Sequence, residues 1–513
     1  MPSNNKTIAK NTVFLYFRML FTMAVALYTS RVVLQVLGVD DFGIYQTVGG
    51  VVALLSFING ALSTGSSRFL TFELGTGDFE KLKRTFSSVL IIHFFLALVI
   101  LLIAETIGLW FVYNKLVIGP ERMEAAVFAY HFSVLTAFFT ITQVPYNASI
   151  ISHEKMNIYA YMSILEVSLK LGIVYLLKTG SFDKLKLYAI LLCVIQVGIA
   201  LFYRLLCVKK FEETKFHLSF DKEIVKSVLG YSSWNLFANT AFAVTTQGLT
   251  VLINMFFNPS VVAARAIANQ VNMAAHQFIN NFRTAANPQI VKRYAAKDFE
   301  GSKSLLLSST QFAFYLMLGL GMPMFFLAEP LLRLWLGIVP EYSVVFLQYA
   351  LVTSLFQVFD SSFYMALYAK GRIRENALLS PTILFLGFPI MYVLFKLGYS
   401  PISSAIVSLI CYALIGLIVK PLLIIKIANY TVKDVVGVFI PCFVVFLVST
   451  SLSMVGVYLV KMQLPSDVLK FILETVVCVF SVGASVWFLG LDKNMKNKIK
   501  CVLKNKCKQL MPK

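Results

Sequence analysis

About fourteen stretches of this chain are apolar over ~20 residues or more, long enough to cross a bilayer as an α-helix. They lie near 11–37, 43–65, 85–113, 123–149, 156–178, 183–208, 225–256, 259–287, 304–328, 341–368, 379–397, 401–427, 434–460 and 466–490. In hydrocarbon, only helices and closed barrels satisfy every backbone N–H and C=O, and apolar runs of this length read as helices. The composition agrees. Hydrophobic residues make up 58% of the chain and charged residues 14%, and the mean hydropathy is +0.77. The connections, at most roughly 15–20 residues, leave no room for a folded domain outside the membrane. The expected fold is an all-α integral membrane protein with about 14 transmembrane helices.

The formal net charge of +20 follows topology and does not point to nucleic acid. With the N-terminus inside, about thirty Lys and Arg fall on cytoplasmic loops and tails and about nine outside, the positive-inside pattern. An even number of spans returns the C-terminus to the cytoplasm. The segment 491–513, with Lys493, Lys496, Lys498, Lys500, Lys504, Lys506, Lys508 and Lys513, is expected to form a basic amphipathic tail on anionic membrane lipids. The first apolar segment is too long for a signal-peptide core and lacks a small-x-small site, so it reads as an uncleaved first span. Trp110, Trp234, Trp335 and Trp487 lie near span ends, as in an aromatic belt. The seven cysteines are dispersed without ligand-like spacing, so no disulfide, metal or cofactor is expected.

The chain repeats itself at a period of about 220 residues, six spans apart. Gly77-Asp78-Phe79-Glu80-Lys81-Leu82-Lys83 after the second span is matched by Lys297-Asp298-Phe299-Glu300-Gly301-Ser302-Lys303 after the eighth. Six spans preserve orientation, so the halves are expected to be parallel-related six-helix bundles facing a central cavity. The expected organisation is an N-terminal bundle over 1–208, a cytoplasmic linker over 209–224, a C-terminal bundle over 225–427 and an appended helix pair over 428–490. Pro145, Pro323 and Pro389 mark bends.

The eighth span carries a polar stripe. Arg265, Asn269, Asn272, His276, Asn280, Arg283 and Asn287 recur at steps of three and four, which places them on one helix face. Ala264, Ile267, Ala268, Val271, Ala275, Phe278 and Phe282 take the other. An arginine at mid-membrane costs roughly 3 kcal/mol on the insertion scale, tolerable where the helix lines a wet path. Arg265 and Arg283 stand about 27 Å apart along the axis. Six basic residues are counted within spans: Arg18, Arg31, Lys170, Arg204, Arg265 and Arg283. Lys170 pairs with Glu166 at i,i+4, and Arg204 snorkels toward the cytoplasm. The other four divide into two tiers, Arg18 with Arg283 and Arg31 with Arg265. Paired guanidinium donors suit a phosphate-bearing headgroup. For Arg18 and Arg31, which fall on nearly opposite faces, snorkelling serves equally. In the seventh span Ser232, Asn235, Asn239, Thr246 and Thr250 suit either sugar hydroxyls or interhelical hydrogen bonds. Glu105, Asp360 and Glu474 read as unpaired acids, and Asp360 is the candidate for proton or sodium coupling, or for pairing with an arginine.

These residues resemble a known family. Arg31-Val32-Val33-Leu34-Gln35-Val36-Leu37-Gly38-Val39-Asp40-Asp41-Phe42-Gly43-Ile44-Tyr45 and Gln143-Val144-Pro145-Tyr146 through Glu154-Lys155-Met156 are similar to polysaccharide flippases of the multidrug/oligosaccharidyl-lipid/polysaccharide (MOP) superfamily. The resemblance implies a flippase in a bacterial cytoplasmic (inner) membrane. It would move undecaprenyl-pyrophosphate-linked O-antigen or capsule repeat units outward by rocking two lobes about a cationic cavity. It also implies substrate roles for Arg18, Arg31 and Arg265, and work alongside a polysaccharide polymerase and glycosyltransferases. Two transporters of the same fold compete. A lipid-linked peptidoglycan precursor flippase shares the cationic cavity. A cation-coupled multidrug exporter typically has an acid in its first span, where this chain has two arginines. A membrane polymerase or ligase would be an enzyme, but no sizeable outer loop and no P-loop, nucleophile-elbow or zincin motif is present.

The topology is open to test. A reporter active only outside the cytoplasm, fused after Lys513, is expected to stay silent. Activity there would overturn the even span count.

Overall fold

The computed structural model describes residues 3–55, 57–153, 155–178, 182–215, 219, 221–372, 374–463, 467–492 and 495–497. Most of the expected basic tail lies outside them. Among them the chain is helical, without strands, which bears out the all-α expectation. Ten helices are long and apolar enough to cross a membrane. The polar helix Pro259–Ala295 is not among those ten.

The chain divides into two compact units, Met1–Ala266 with Leu336–Glu341 and Leu384–Ser403, and Ile267–Trp335 with Tyr342–Ile383 and Ser404–Lys513. Helices α1 (Ser3–Leu55), α2 (Phe57–Thr76), α3 (Phe79–Lys115), α4 (Pro120–Ser152), α5 (Met156–Leu177), α6 (Lys184–Lys210) and α7 (222–256) belong to the first. Then follow α8 (Pro259–Ala295), α9 (Phe299–Phe326), α10 (Ala328–Leu336), α11 (Ser343–Lys370), α12 (Arg374–Lys396), α13 (Ile402–Ala428), α14 (Val432–Gln463) and α15 (Asp467–Gly490). The unit boundary falls within α8, α10, α12 and α13.

In the first unit, Gly38 interrupts α1 with φ 83° and ψ 170°, a conformation only glycine adopts without strain. It sits where the sequence separates the first two spans. Leu70, Leu82, Phe86, Tyr146, Ile150, Ile199 and Tyr203 form a buried core joining α2, α3, α4 and α6. Arg122 at the start of α4 bridges Asp41 at 2.5 Å and Asp183 at 2.6 Å. Burial pushes the Asp183 carboxyl up, but Arg122 and the Lys186 N–H pull harder and hold it below the usual carboxylate range. Phe211 stacks on His153 at 4.2 Å, and His153 reaches buried Glu213 at 2.6 Å. The start of the expected linker is therefore pinned to the end of α4.

In the second unit, Phe314 of α9, Phe359 and Phe363 of α11, and Phe439 and Phe443 of α14 pack as one aromatic cluster. Its centroid distances include 5.1 Å for Phe314–Phe359 and 4.9 Å for Phe359–Phe439. The two matched sequence stretches make the same turn, one in each unit. Gly77 and Lys297 adopt φ 77° and 62°. The next residue then caps a helix: Asp78 accepts the Lys81 N–H at 3.0 Å and Asp298 the Gly301 N–H at 2.9 Å.

Four helices widen into a π-turn, Ala104–Gly108 in α3, Val244–Gly248 in α7, Ile415–Val419 in α13 and Val486–Gly490 in α15. A π-turn loosens the regular carbonyl ladder. Two of these turns are met by a tyrosine within their own unit. Tyr130 donates to the Ala104 carbonyl at 2.8 Å and Tyr315 to the Gly490 carbonyl at 3.1 Å. Removing either hydroxyl removes one hydrogen bond to a buried carbonyl, a loss of about 0.5–1.5 kcal/mol. Tyr130→Phe and Tyr315→Phe are each expected to lower the melting temperature in detergent, whereas Tyr458→Phe, on an exposed ring, is not. Equal melting of all three would remove the role assigned to these hydroxyls.

Candidate functional site

Helix α8 begins at a cap built by its own sequence. Asn258 accepts the Val261 N–H at 3.1 Å, and Pro259 stands where no N–H is needed. Ala264, Ile267, Ala268, Val271 and Ala275 are buried, none more than 6% exposed. The polar stripe faces elsewhere. Arg265, Asn269, Asn272, His276, Arg283 and Asn287 are half-buried and Asn280 is exposed. Arg265 belongs to the first unit and the rest of the stripe to the second.

In the first unit, Arg265 donates to the Thr250 hydroxyl at 2.8 Å and, more weakly, to the Thr246 carbonyl at 3.5 Å. Thr246 lies in the π-turn of α7. Both acceptors are neutral, and among the described residues no carboxylate pairs with Arg265. Of the polar residues expected on the seventh span, Thr250 is thus an interhelical partner. The side chains of Ser232 and Asn235 lie outside the described residues. Arg31 is half-buried on α1. The side chain of Arg18 also lies outside the described residues.

In the second unit the stripe meets α11. Ser354, fully buried, donates to Asn272 Oδ1 at 2.8 Å or to the Ala350 carbonyl at 2.8 Å. Its oxygen lies 2.7 Å from His276 Nε2. A hydroxyl has one proton. With that proton given to Asn272 or Ala350, His276 Nε2–H is the donor to Ser354.

One to two turns further on, the charges gather. Phe359 is locked in the aromatic cluster, and the next residue, about 100° around the helix, is Asp360, which meets α13. Asp360 pairs with Lys420 Nζ at 2.9 Å. Lys420 also donates to Asn376 Oδ1 and lies 5.2 Å from the Tyr364 ring centroid. It is only 2% exposed. It follows directly on the π-turn Ile415–Val419, where a Cβ at Gly416 would stand 2.6 Å from the Phe356 carbonyl oxygen. Glycine therefore permits the approach of α13 to α11 that the ion pair needs. Arg283 donates to the Ser361 carbonyl and is within electrostatic range of both Asp360 and Lys420. Its Nε is buried without a hydrogen-bond partner. Two cations share one carboxylate, leaving one positive charge uncompensated.

Two sequence expectations change. Asp360 is not an isolated acid, because Lys420 neutralises it, and no arginine takes that place. Lys420 was missed in the count of basic residues within spans, although a lysine before Pro421, well inside the apolar segment 401–427, was its signal. Glu105 is likewise paired, with His131 at 2.8 Å. The expected Lys170–Glu166 pair is present at 2.6 Å, and Arg204 donates to Thr142 Oγ1 at 2.5 Å. No group of three or more His, Cys, Asp or Glu placed to hold a metal occurs among the described residues.

No protein-family model matches the chain, and no curated protein matches its sequence. Solved structures do match. The lipid II flippase MurJ in an inward closed conformation has a TM-score of 0.68 at 13% identity, over 92% of this chain and 97% of that one. An inward-facing multidrug resistance MATE family transporter of the MOP superfamily has a TM-score of 0.65 at 17% identity, over 79% of this chain and 96% of that one. A MOP superfamily transporter from Pyrococcus furiosus has 0.56 at 18%, over 82% and 96%.

The chain has the fold of the MOP-superfamily transporters. It is a multi-pass membrane protein, and the MOP-fold proteins it resembles are transporters and a flippase, not enzymes. The fold implied by the resemblance of the first-to-second-span residues is thereby borne out.

The MOP-fold site yields a stability test. Breaking a buried ion pair from one side costs about 3–5 kcal/mol, whereas replacing both partners is often close to neutral. Asp360 keeps a quarter of its side chain exposed, which favours the lower end. Asp360→Asn and Lys420→Met are each expected to lower the melting temperature, and the double variant to recover much of the loss. Losses that simply add would show the two residues to be energetically independent.

Proposed function

We propose that the chain is a flippase that carries an undecaprenyl-pyrophosphate-linked oligosaccharide repeat unit from the cytoplasmic to the outer leaflet of a bacterial inner membrane, for polysaccharide biosynthesis. The observation that carries this reading is how the arginines of α8 are held. Arg265 rests on a threonine hydroxyl and Arg283 on a backbone carbonyl. A guanidinium held by neutral acceptors keeps its charge for an anion, and its planar donors match phosphate oxygens. Arg265, Asn269, Asn272, His276, Asn280 and Arg283 form the headgroup path, with Arg18 and Arg31 as further cationic contacts. The phosphates bind the arginines, and the amides and His276 meet sugar hydroxyls. Asp360, with Lys420, couples the cycle to an ion gradient. The glycosyltransferases that build the repeat unit and the polymerase that consumes it are the expected partners.

A lipid-linked peptidoglycan precursor flippase is the second reading. It is favoured by the 0.68 TM-score to a lipid II flippase, and its substrate shares the pyrophosphate. Export of cationic drugs fits less well, since no acid stands opposite Arg18 and Arg31 in the first span.

Translocation of labelled lipid-linked oligosaccharide in vesicles tests the reading. Arg265→Ala and Arg283→Ala are each expected to abolish transfer while the protein remains in the membrane. Lys at either position should restore it only in part, keeping charge but losing the paired donors. Wild-type rates in both Ala proteins would sink the phosphate role. Transfer of lipid-linked peptidoglycan precursor, with none of the oligosaccharide, would decide for the second reading.

A further inference from the structure

Glu474 stands apart from this cluster, on α15. It is 3% exposed and its Oε1 has no hydrogen-bond partner. Cys478, Ser481 and Ser485 follow at steps of three and four, so the four share one helix face, and all are buried. Helix α14 packs against this face. Its approach is tight, since a Cβ at Gly456 would stand 2.3 Å from Val477 Cγ1. Ser453 of α14 lies beside the Cys478 thiol, fully buried, and its hydroxyl too lacks a partner of good geometry, as does that of Ser485. The hairpin thus encloses a polar seam along which the Ser453 and Ser485 hydroxyls and Glu474 Oε1 itself are unsatisfied.

The charged and titratable groups near Glu474 are few. Lys470 lies one turn away on the same helix, but its contact is with Asp467 at 4.0 Å. Lys461 acts from α14 at a distance, and Cys478 is the neighbouring thiol. Helix α9 reaches α15 at Gly319, where an added Cβ would stand 3.9 Å from Val482 Cγ1, and its stretch Met322–Phe326 bears no ionisable side chain. Among the described residues no ion pair forms with Glu474. An ionised carboxylate buried without a counter-ion is costly, and such a group in a membrane marks a site by default. Hard metal cations take about six oxygen ligands, many more than a carboxylate and one hydroxyl supply. A proton needs one oxygen, removes the charge and creates an O–H donor.

We propose that Glu474 is a proton-binding site of the α14–α15 hairpin, distinct from the Arg283–Asp360–Lys420 cluster. A protonated Glu474 donates into the seam, where Ser453 has an oxygen free to accept. Deprotonation places a bare charge between the two helices and loosens their packing. The hairpin is then a pH-responsive element that does not depend on which substrate the transporter carries.

Infrared difference spectra of the full chain in lipid vesicles test this. A protonated carboxylic acid gives a carbonyl band that shifts in heavy water. The wild type is expected to show such a band, Glu474→Gln to lose it and Asp360→Asn to keep it. Glu474→Asp retains the acid and should move the band, which serves if the Gln variant fails to fold. No band in the wild type, a band unchanged in Glu474→Asp, or a band displaced by sodium at constant pH overturns the proposal, the last in favour of a sodium site.

Discussion

Hydrocarbon offers no water to a backbone polar group, so each must find its partner inside the protein. The π-turns show how this chain meets that demand without staying regular. A widened turn loosens its carbonyls, and a side chain of a neighbouring helix supplies a further donor. The glycines that close these turns make the fit possible. A Cβ at Gly108 would stand 2.1 Å from the Tyr130 hydroxyl, and one at Gly490 would stand 2.9 Å from that of Tyr315. In α7 the Thr246 carbonyl accepts from the Thr250 hydroxyl at 3.1 Å and, more weakly, from Arg265 at 3.5 Å, so the same device seats a charge. In α13 the turn delivers Lys420 to Asp360. Irregular backbone and polar chemistry therefore occur at the same places.

The arginines of α8, like Arg204 on the Thr142 hydroxyl, differ from Lys170 and Lys420 in what holds them. Lys170 and Lys420 each face a carboxylate and are neutralised locally. Arg265 and Arg283 rest on neutral oxygens. In a low-dielectric setting an uncompensated cation attracts an anion far more strongly than it would in water. The nearby Asp360–Lys420 pair adds no net charge, yet it shapes the field at Arg283, since both members lie within electrostatic range of it.

Much of this was legible in the sequence because helical spacing is local information. The stripe from Arg265 to Asn287, the buried face from Ala264 to Ala275 and the Glu166–Lys170 pair all follow from steps of three and four. The paired Asp78 and Asp298 turns were visible as matched stretches, and their capping geometry follows from residue type. Asp360–Lys420 was not legible, because its partners lie on different helices and nothing in either segment specifies their rotation. That rotation is fixed by Phe359 in the aromatic cluster and by Gly416 at the approach to α11. The π-turns were equally hidden. A π-turn does not change residue spacing enough to disturb an apolar pattern, and the tyrosines that meet them come from other helices.

Under the proposed function, the same physics says where substrate choice would lie. A pyrophosphate on a polyprenyl chain is common to a polysaccharide repeat unit and to a peptidoglycan precursor, so the arginines serve both and cannot tell them apart. Discrimination has to come from neutral groups that meet the sugars. A site built to hydrogen-bond a hydroxyl rejects a ligand that lacks it, because its own buried polar atoms are then left unpaired. On α8 the neutral groups are Asn269, Asn272, His276 and Asn280. Asn272 and His276 are already engaged with Ser354, so a sugar that binds there must replace those bonds one for one. A headgroup whose hydroxyls match that geometry exchanges partners at little cost, whereas one that does not leaves Ser354, fully buried, with fewer partners. Under the proposed function, glycan selectivity would reside in the Asn272–Ser354–His276 triplet and transport competence in Arg265 and Arg283.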